Sequence, residues 1–202
     1  AMPDYARDLK LNLGSVLTAS GAPGLNEKQI WSIALASAIA ARNTSFARDI
    51  EAQAKAHLAD VEVEGAKAAA AIMGMNNIYY RFLHLVEDGE YQSMPARLRM
   101  NVIANHGIDK LDFELISLAV SAVNGCGLCV TSHEKKLRSH DVSRESIQSA
   151  VRIAATIHAV SVTLEFEAAA RARGLESAFV ATGQTGIAIT GWGIAVDHVI
   201  SD

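Results

Sequence analysis

Residues 113–133 read FELISLAVSAVNGCGLCVTSH, and this stretch predicts two helices joined by a tight turn. Apolar residues recur at helical spacing from Phe113 onward until Asn124-Gly125, a dipeptide that is typical of turns. Cys126 then opens a second periodic segment. Because the link between the two segments is so short, we expect their helices to pack as antiparallel neighbours.

Helical periodicity extends along most of the 202-residue chain. Half of the residues are hydrophobic but only 5% are aromatic, and proline occurs three times. This composition favours helices, because alanine is the residue that a helix accommodates at least cost. No convincing alternating strand precedes residue 177, so we predict an all-α fold. The expected helices span approximately residues 4–13, 26–42, 44–58, 61–87, 94–105, 109–123, 126–139 and 143–173.

A weak internal repeat and a change of composition divide the chain. Residues 31–80 align with residues 114–163 at an offset of 83, which places His57 on His140. The alignment predicts a duplicated helical unit within residues 1–174, of which only the second copy carries cysteines. Residues 175–202 are rich in glycine, threonine and β-branched residues. We interpret them as an appended tail of unknown role, with an interface arm as the alternative.

The charge pattern argues against several classes of partner. The formal net charge is −4, so the chain has no basic excess with which to neutralise nucleic-acid phosphates. It has no block of like charges to hold it on a membrane, and the first 15 residues lack an apolar signal core. Neither of the longest uncharged stretches is a continuous apolar span. We therefore expect a soluble, cytoplasmic protein that binds neither nucleic acid nor membrane.

The two cysteines, Cys126 and Cys129, form a single Cys-x-x-Cys motif. Two cysteines cannot build a disulfide framework, so in a reducing compartment the pair indicates redox chemistry or half of a metal site. Cys126 opens a helix, where unpaired N–H groups and the positive end of the helix dipole lower a thiol pKa. Cys129 lies three residues further on, close enough to Cys126 to form a disulfide.

A histidine and a glutamate extend this pattern. His133 lies four residues after Cys129 on the same helix face, where its imidazole could take the thiol proton. Glu114 begins the preceding apolar helix, and an antiparallel return would bring it toward His133. A carboxylate there would orient the imidazole and raise its basicity. The pattern predicts a relay of Glu114, His133 and Cys129.

Simpler interpretations of the same residues remain open at this stage. His133 and His140 could complete a Cys2His2 zinc site with the two cysteines, although structural zinc usually occupies small, loop-rich modules with other spacings. Glu114 and His133, each taken alone, could be ordinary solvated helix residues.

The spacing Glu, eleven residues, Cys-x-x-Cys, three residues, His resembles the motif of the alkylhydroperoxidase D family, in the carboxymuconolactone-decarboxylase-like superfamily. The resemblance covers roughly residues 3–173 and includes five segments in family order. These segments are PDYARDLKLNLGSVL, QIWSIALASAIAARN, GAKAAAAIMGMNNIYYRF, LRMNVIAN and FELISLAVSAVNGCGLC.

The resemblance implies an all-helical fold with an internal duplication, a homotrimer, and a thiol peroxidase that uses neither haem nor metal. Its substrates would be hydrogen peroxide and alkyl hydroperoxides. Carried over by motif, Cys129 would be oxidised by peroxide to the sulfenic acid. Cys126 would resolve it to a disulfide and donate a proton, and Glu114 and His133 would form the proton relay. Well-known members carry a second histidine where this chain has Leu128, so the resemblance does not extend to a second histidine in the relay.

The resemblance also implies partners. No cofactor would be bound, and dihydrolipoamide would be the reducing co-substrate, carried by a lipoylated acyltransferase and kept reduced by lipoamide dehydrogenase. The peroxiredoxin alkyl hydroperoxide reductase C would be the other partner. Two alternatives are a general dithiol–disulfide oxidoreductase that acts on protein disulfides, and a structural helical protein stabilised by zinc.

Overall fold

The computed structural model describes residues 2–172, and these residues form helices without a single β-strand. The all-α prediction is therefore confirmed for this part of the chain. The predicted tail, residues 175–202, lies outside the described residues. The α-helices are α1 (Arg7–Val16), α2 (Glu27–Ala40), α3 (Thr44–Ala54), α4 (Asp60–Val86), α5 (Gly89–Ser93), α6 (Lys110–Val123), α7 (Gly127–Arg138) and α8 (Arg144–Ala172). Short 3-10 turns occupy Asp4–Ala6 and Asn101–Ile103.

The chain divides into two compact units, residues 1–166 and residues 167–202. In the first unit, α2 and α6 are the central helices, because they pack against each other and both pack against α4. Each is apolar on nearly every face, which is typical of a helix that lies wholly inside a core. Of the second unit, the described residues are the C-terminal end of α8.

Side-chain caps define where the central helices begin. Asn26 caps α2 through a reciprocal pair of hydrogen bonds with Gln29, and Asp109 caps α6 by accepting from the backbone N–H groups of Leu111 and Asp112. These caps satisfy N–H groups that have no partner within the helix itself. The start of α6 at Asp109, which the sequence predicts, is confirmed.

The helix predicted over residues 94–105 is wrong. Residues 94–100 are not helical, and only the 3-10 turn Asn101–Ile103 follows them. The reason is local, because Met94 precedes Pro95 and a residue in that position is pushed toward extended backbone (ψ 139° here). Arg97 then adopts a left-handed conformation with φ 51°. The chain instead forms the short helix α5 just before, with Asp88 as its cap.

Helix α8 is apolar and long enough over Arg144–Ala170 to cross a membrane by length and composition alone. Half of its most apolar window is buried inside the fold, however. Ile153, Ile157 and Val160 of this helix are almost completely buried in the hydrophobic core. This helix thus packs as a core helix. A core helix can meet the same criteria of length and apolar composition as a membrane span.

Candidate active site

The turn between α6 and α7 positions the two cysteines. Gly125 adopts φ 68°, a left-handed conformation that glycine reaches without a steric penalty. The backbone N–H of Cys126 donates to the carbonyl of Ser121 (3.1 Å), so the chain reverses tightly at the end of α6. Cys126 becomes the N-cap of α7, and its sulfur accepts the N–H of Cys129 (3.3 Å).

Cys126 and Cys129 are joined in a disulfide, with their Cα atoms 5.3 Å apart. The structure thus shows the oxidised form of the pair. Cys126 is completely buried and Cys129 is 6% exposed. The two sulfurs therefore differ in their access to solvent, and Cys129 is the one that a small molecule can approach more readily.

Glu114 and His133 meet because α7 runs back along α6. The Nδ1 atom of His133 lies 2.7 Å from Oε2 of Glu114, and the two side chains are only 17% and 18% exposed. A carboxylate is an acceptor only, so the hydrogen-bonded Nδ1 carries the proton. This tautomer leaves Nε2 with a free lone pair, the form in which an imidazole acts as a base.

Opposing effects set the charge of Glu114. Burial disfavours the carboxylate and by itself would raise its pKa. The hydrogen bond from His133, together with the charges of His133, Lys136 and His106, outweighs this effect and lowers the pKa of Glu114 below its ordinary value. Glu114 is therefore ionised at neutral pH and can both orient His133 and stabilise its protonated form.

Two basic residues near Glu114 are absent from the sequence-based relay. The Nζ atom of Lys136 lies 3.8 Å from Oε1 of Glu114. His106 stacks on the ring of Phe113 with ring centroids 4.1 Å apart, and its burial lowers its pKa. The sequence does contain a signal for Lys136, since it follows His133 by three residues on the same helix face. It contains none for His106, which comes from an irregular loop.

A hydrogen-bonded network from α4 holds the turn that precedes the cysteines. Asn77, which is 1% exposed, donates to the hydroxyl of Ser121 (2.8 Å) and accepts from the side-chain amide of Asn124 (2.9 Å). Arg81 donates to the backbone carbonyl of Asn124 (2.7 Å). Because a buried polar group left without a partner is costly, these contacts favour one conformation of the turn.

The geometry does not assemble the zinc site considered above. The two sulfurs are bonded to each other, His133 faces Glu114, and His140 lies within hydrogen-bonding distance of the Ser139 hydroxyl and the Lys136 carbonyl. Within residues 2–172, no group of three or more His, Cys, Asp and Glu side chains is placed to hold a metal ion. Leu128, where well-known family members have a second histidine, is 38% exposed.

Comparison with known proteins places this site in a described family. The carboxymuconolactone decarboxylase family matches residues 89–172. Proteins named alkyl hydroperoxide reductase AhpD are similar over most of the chain. The one from Rhodospirillum centenum is 56% identical over 83% of this chain and 89% of its own length. The one from Streptomyces coelicolor is 55% identical over 83% of this chain and 93% of its own length.

A second family match falls on the other end of the chain. The P-loop domain of a family of unknown function, DUF1611, matches residues 159–202. Most of this range lies outside the described residues.

The lowered pKa of Glu114 predicts a pH-dependent contribution to stability. A carboxylate with a depressed pKa stabilises the fold above its unfolded-state pKa, and this stabilisation is lost as the pH falls through the folded-state pKa. We expect Glu114→Gln to lower the free energy of unfolding at pH 6, with the difference from the unsubstituted protein shrinking from about pH 4.5 downward. Urea unfolding of the oxidised proteins from pH 6 to pH 2 measures this difference.

Glu134→Gln is the matched control for this measurement. Glu134 is the neighbour of His133 on α7, and within the described residues its side chain forms no hydrogen bond or ion pair. Its substitution should change the free energy of unfolding little at either pH. A Glu114→Gln difference that stayed constant down to pH 2 would show that Glu114 stabilises the fold through packing, not through its charge.

Proposed function

The chain belongs to the alkylhydroperoxidase D family, and from this membership we propose that it is a thiol peroxidase that reduces hydrogen peroxide and alkyl hydroperoxides. The name alkyl hydroperoxide reductase, which its relatives carry, supports a peroxide-reducing role. The observation that carries the proposal is the Cys126–Cys129 disulfide at the start of α7, one helical turn from a His133–Glu114 pair. A thiol pair beside an oriented base is what a cysteine peroxidase requires.

In the proposed cycle the reduced pair meets the peroxide through Cys129. The imidazole of His133 takes the thiol proton, and the Cys129 thiolate attacks one oxygen of the O–O bond. An S–O bond forms as the O–O bond breaks, and the leaving alkoxide takes the proton of the Cys126 thiol to become the alcohol. The Cys126 thiolate then attacks the sulfenic sulfur, the S–S bond forms as the S–O bond breaks, and the departing hydroxide takes the proton held by His133 and leaves as water. The thiol pair has then lost two electrons and the peroxide has gained them.

Two features support Cys129 as the sulfur that meets peroxide. It is 6% exposed whereas Cys126 is completely buried, and it precedes His133 by one helical turn. The Cys129 N–H donates to the Cys126 sulfur, so the two residues are in contact across the first turn of α7. That contact suits a resolving thiol, and Cys126 also serves in this proposal as the proton donor.

The low exposure of the disulfide bears on its reductant. A bulky protein disulfide or dithiol would have to reach Cys129, a residue that is only 6% exposed. A slender dithiol on a flexible arm, such as dihydrolipoamide, reaches such a site more easily. We propose that dihydrolipoamide on a lipoylated acyltransferase reduces the pair, with lipoamide dehydrogenase regenerating it and the peroxiredoxin alkyl hydroperoxide reductase C as a further partner. This burial makes a general protein dithiol–disulfide oxidoreductase the weaker candidate.

We also propose that the fold is an internal duplication and that three chains assemble. Helices α2 and α6 are both 14 residues long, and they begin 83 residues apart. Helices α3 and α7 also begin 83 residues apart. Gly24 and Gly107, the same distance apart, adopt φ 79° and 78°. Exposed apolar side chains on α4, such as Phe82 and Leu85, provide a surface that a second copy could cover. Light scattering should give about three times the chain mass of 21.5 kDa.

We propose a cytoplasmic location as well, because the thiol pair needs a continuous supply of reducing equivalents. Activity of the protein in the cytosolic fraction of fractionated cells, and its absence from membrane pellets, is the observation that would support this location.

The proposed activity predicts which electron donor sustains turnover. Dihydrolipoamide should support steady consumption of tert-butyl hydroperoxide, whereas the same protein should reduce or oxidise a protein disulfide substrate slowly. Paired assays at equal enzyme concentration measure both rates. Faster turnover on the protein disulfide than on the peroxide would make the protein a disulfide oxidoreductase instead.

The assigned roles of the cysteines predict distinct trapped species. After treatment with one equivalent of peroxide, Cys126→Ser should carry a sulfenic acid on Cys129 that cannot close to a disulfide. Cys129→Ser should carry none. Mass spectrometry after trapping with a dimedone-type reagent identifies the modified residue. An adduct on Cys126 in the Cys129→Ser protein would reverse the two assignments.

The relay predicts non-additive losses of activity. Glu114→Gln is nearly isosteric, so packing should survive while the imidazole loses the group that orients it. We expect Glu114→Gln and His133→Gln each to lower peroxide turnover about 10²-fold, the usual size of a general-base contribution. The double variant should be little worse than either single variant, because the two residues act as one unit. Unchanged peroxide turnover in Glu114→Gln would remove Glu114 from the relay.

A further inference from the structure

A cleft of about 380 Å³ lies between the C-terminal ends of α2 and α6 and the middle of α4 and α8. Three basic side chains line it, Arg42, Arg81 and His158, and among its lining residues in the described part of the chain there is no carboxylate. The rest of the wall is small or apolar, or carries amide groups. This wall consists of Ala40, Ala41, Gly74, Asn77, Ile78, Val123 and Asn124.

The basic side chains of this cleft keep N–H groups that are not hydrogen-bonded within the described residues. Arg81 uses one N–H group to bind the Asn124 carbonyl at the end of α6, the ordinary role of a cation at a helix C-terminus. The side chains of Arg42 and His158 are exposed and form no hydrogen bond or ion pair within residues 2–172. The cleft therefore offers several N–H donors and positive charge without an internal counter-ion.

Arg42 occupies a backbone position that favours glycine. It follows the C-cap of α2 with φ 67°, in the left-handed region that is strained for a residue with a Cβ. The same position after α6 is Gly125, with φ 68°. The chain thus makes one turn twice, once with glycine and once with an arginine whose side chain reaches the cleft. A strained residue of this kind is often kept for what its side chain binds.

We propose that the cleft binds the carboxylate of an organic anion, and that the protein therefore prefers hydroperoxides that carry a carboxylate on an apolar chain. This preference rests on the proposed peroxidase function. The planar guanidinium of an arginine matches a carboxylate through paired hydrogen bonds, and Ile78 and Val123 provide apolar surface for the chain. The volume of the cleft is within the range of small-molecule sites.

The cleft adjoins the redox pair along the chain. Asn124 lines the cleft and precedes Cys126 by two residues, which span at most about 7 Å between Cα atoms. The cleft therefore lies beside the turn that carries the redox pair, and a substrate whose carboxylate is held there has its apolar chain next to that turn.

Direct binding tests the cleft without turnover. Calorimetric titration of the oxidised protein with octanoate at low salt should show saturable binding, and octanamide, which has the same chain without the charge, should bind at least tenfold more weakly. Arg42→Gln should weaken octanoate binding at least tenfold. Arg152→Gln removes the same charge from an exposed position on α8 outside the cleft, and should change binding less than twofold.

Several outcomes would overturn the proposal. Equal binding of octanoate and octanamide would show that the charge is not recognised. Equal loss of affinity in the two arginine variants would show a general charge effect. Saturable binding of inorganic phosphate without binding of octanoate would make the cleft a phosphate site, which contradicts a preference for carboxylates. A change of oligomeric state in Arg42→Gln, with unchanged octanoate affinity, would assign Arg42 to a subunit contact.

Kinetics connect the cleft to the substrate. With a hydroperoxy fatty acid and its methyl ester as paired substrates, the acid should have the higher kcat/KM. Arg42→Gln should remove this preference by raising KM for the acid while kcat changes little. If no hydroperoxide at all is consumed, the peroxidase function fails while the octanoate titration still decides whether the cleft binds carboxylates. If acid and ester are consumed equally by the unsubstituted protein, the substrate preference is wrong although the peroxidase function stands.

Discussion

The hydrogen bond between Glu114 and His133 exists because α7 reverses direction at Gly125 and runs back along α6. The carboxylate lies near the start of one helix and the imidazole lies two turns into the next, so only an antiparallel return brings them to 2.7 Å. The same reversal makes Cys126 the first capping residue of α7. The location of the redox pair and the orientation of its base are thus two consequences of one turn, and the network from Asn77 and Arg81 holds that turn from the side of α4.

Burial of the cysteine pair strengthens the electrostatic interactions around it, but it also limits which reductants can reach the pair. A dry site strengthens the electrostatic effect of Glu114 on His133, because charges interact more strongly when water is excluded. In the proposed cycle, it would also protect the sulfenic acid on Cys129 from thiols other than Cys126. The same burial would restrict reductants, since Cys126 is completely covered and Cys129 is 6% exposed. It is for this reason that the proposed function assigns small peroxides and a slender dithiol to the site as reaction partners.

Much of this arrangement can be predicted from the sequence, because it is determined by residues that are close together along the chain. Helical periodicity, the Asn124-Gly125 turn and the start of the helix expected over residues 109–123 each depend on residues only a few positions apart, and each is found where the sequence predicts it. The proximity of Glu114 and His133 also follows from a local reversal. The helix predicted over residues 94–105 is wrong, because helical periodicity was given more weight there than the restriction that Pro95 places on Met94.

The contacts that the sequence does not reveal are those between distant segments. Asn77 lies 44 residues from Ser121 and 47 from Asn124, and an asparagine in an alanine-rich helix gives no indication of which partners it will meet. His106 reaches the neighbourhood of Glu114 from an irregular loop, and Arg42 and His158 line one cleft from opposite halves of the chain. Such contacts depend on how helices cross, which periodicity alone does not specify.

Helices α3 and α7 both begin with a side chain that caps the helix. Comparing them shows which side chains of α7 the fold itself requires. The side chain of Asn43 caps α3 by accepting the N–H of Phe46 (2.9 Å), as the sulfur of Cys126 caps α7 by accepting the N–H of Cys129 (3.3 Å). If the chain is duplicated as proposed, Phe46 and Ile50 correspond to Cys129 and His133, and both are buried core residues. The fold therefore accepts ordinary capping and packing side chains at these positions. On that proposal, the cysteines and His133 are not needed to form the cap or to fill the core, and the proposed peroxidase function accounts for their presence in α7.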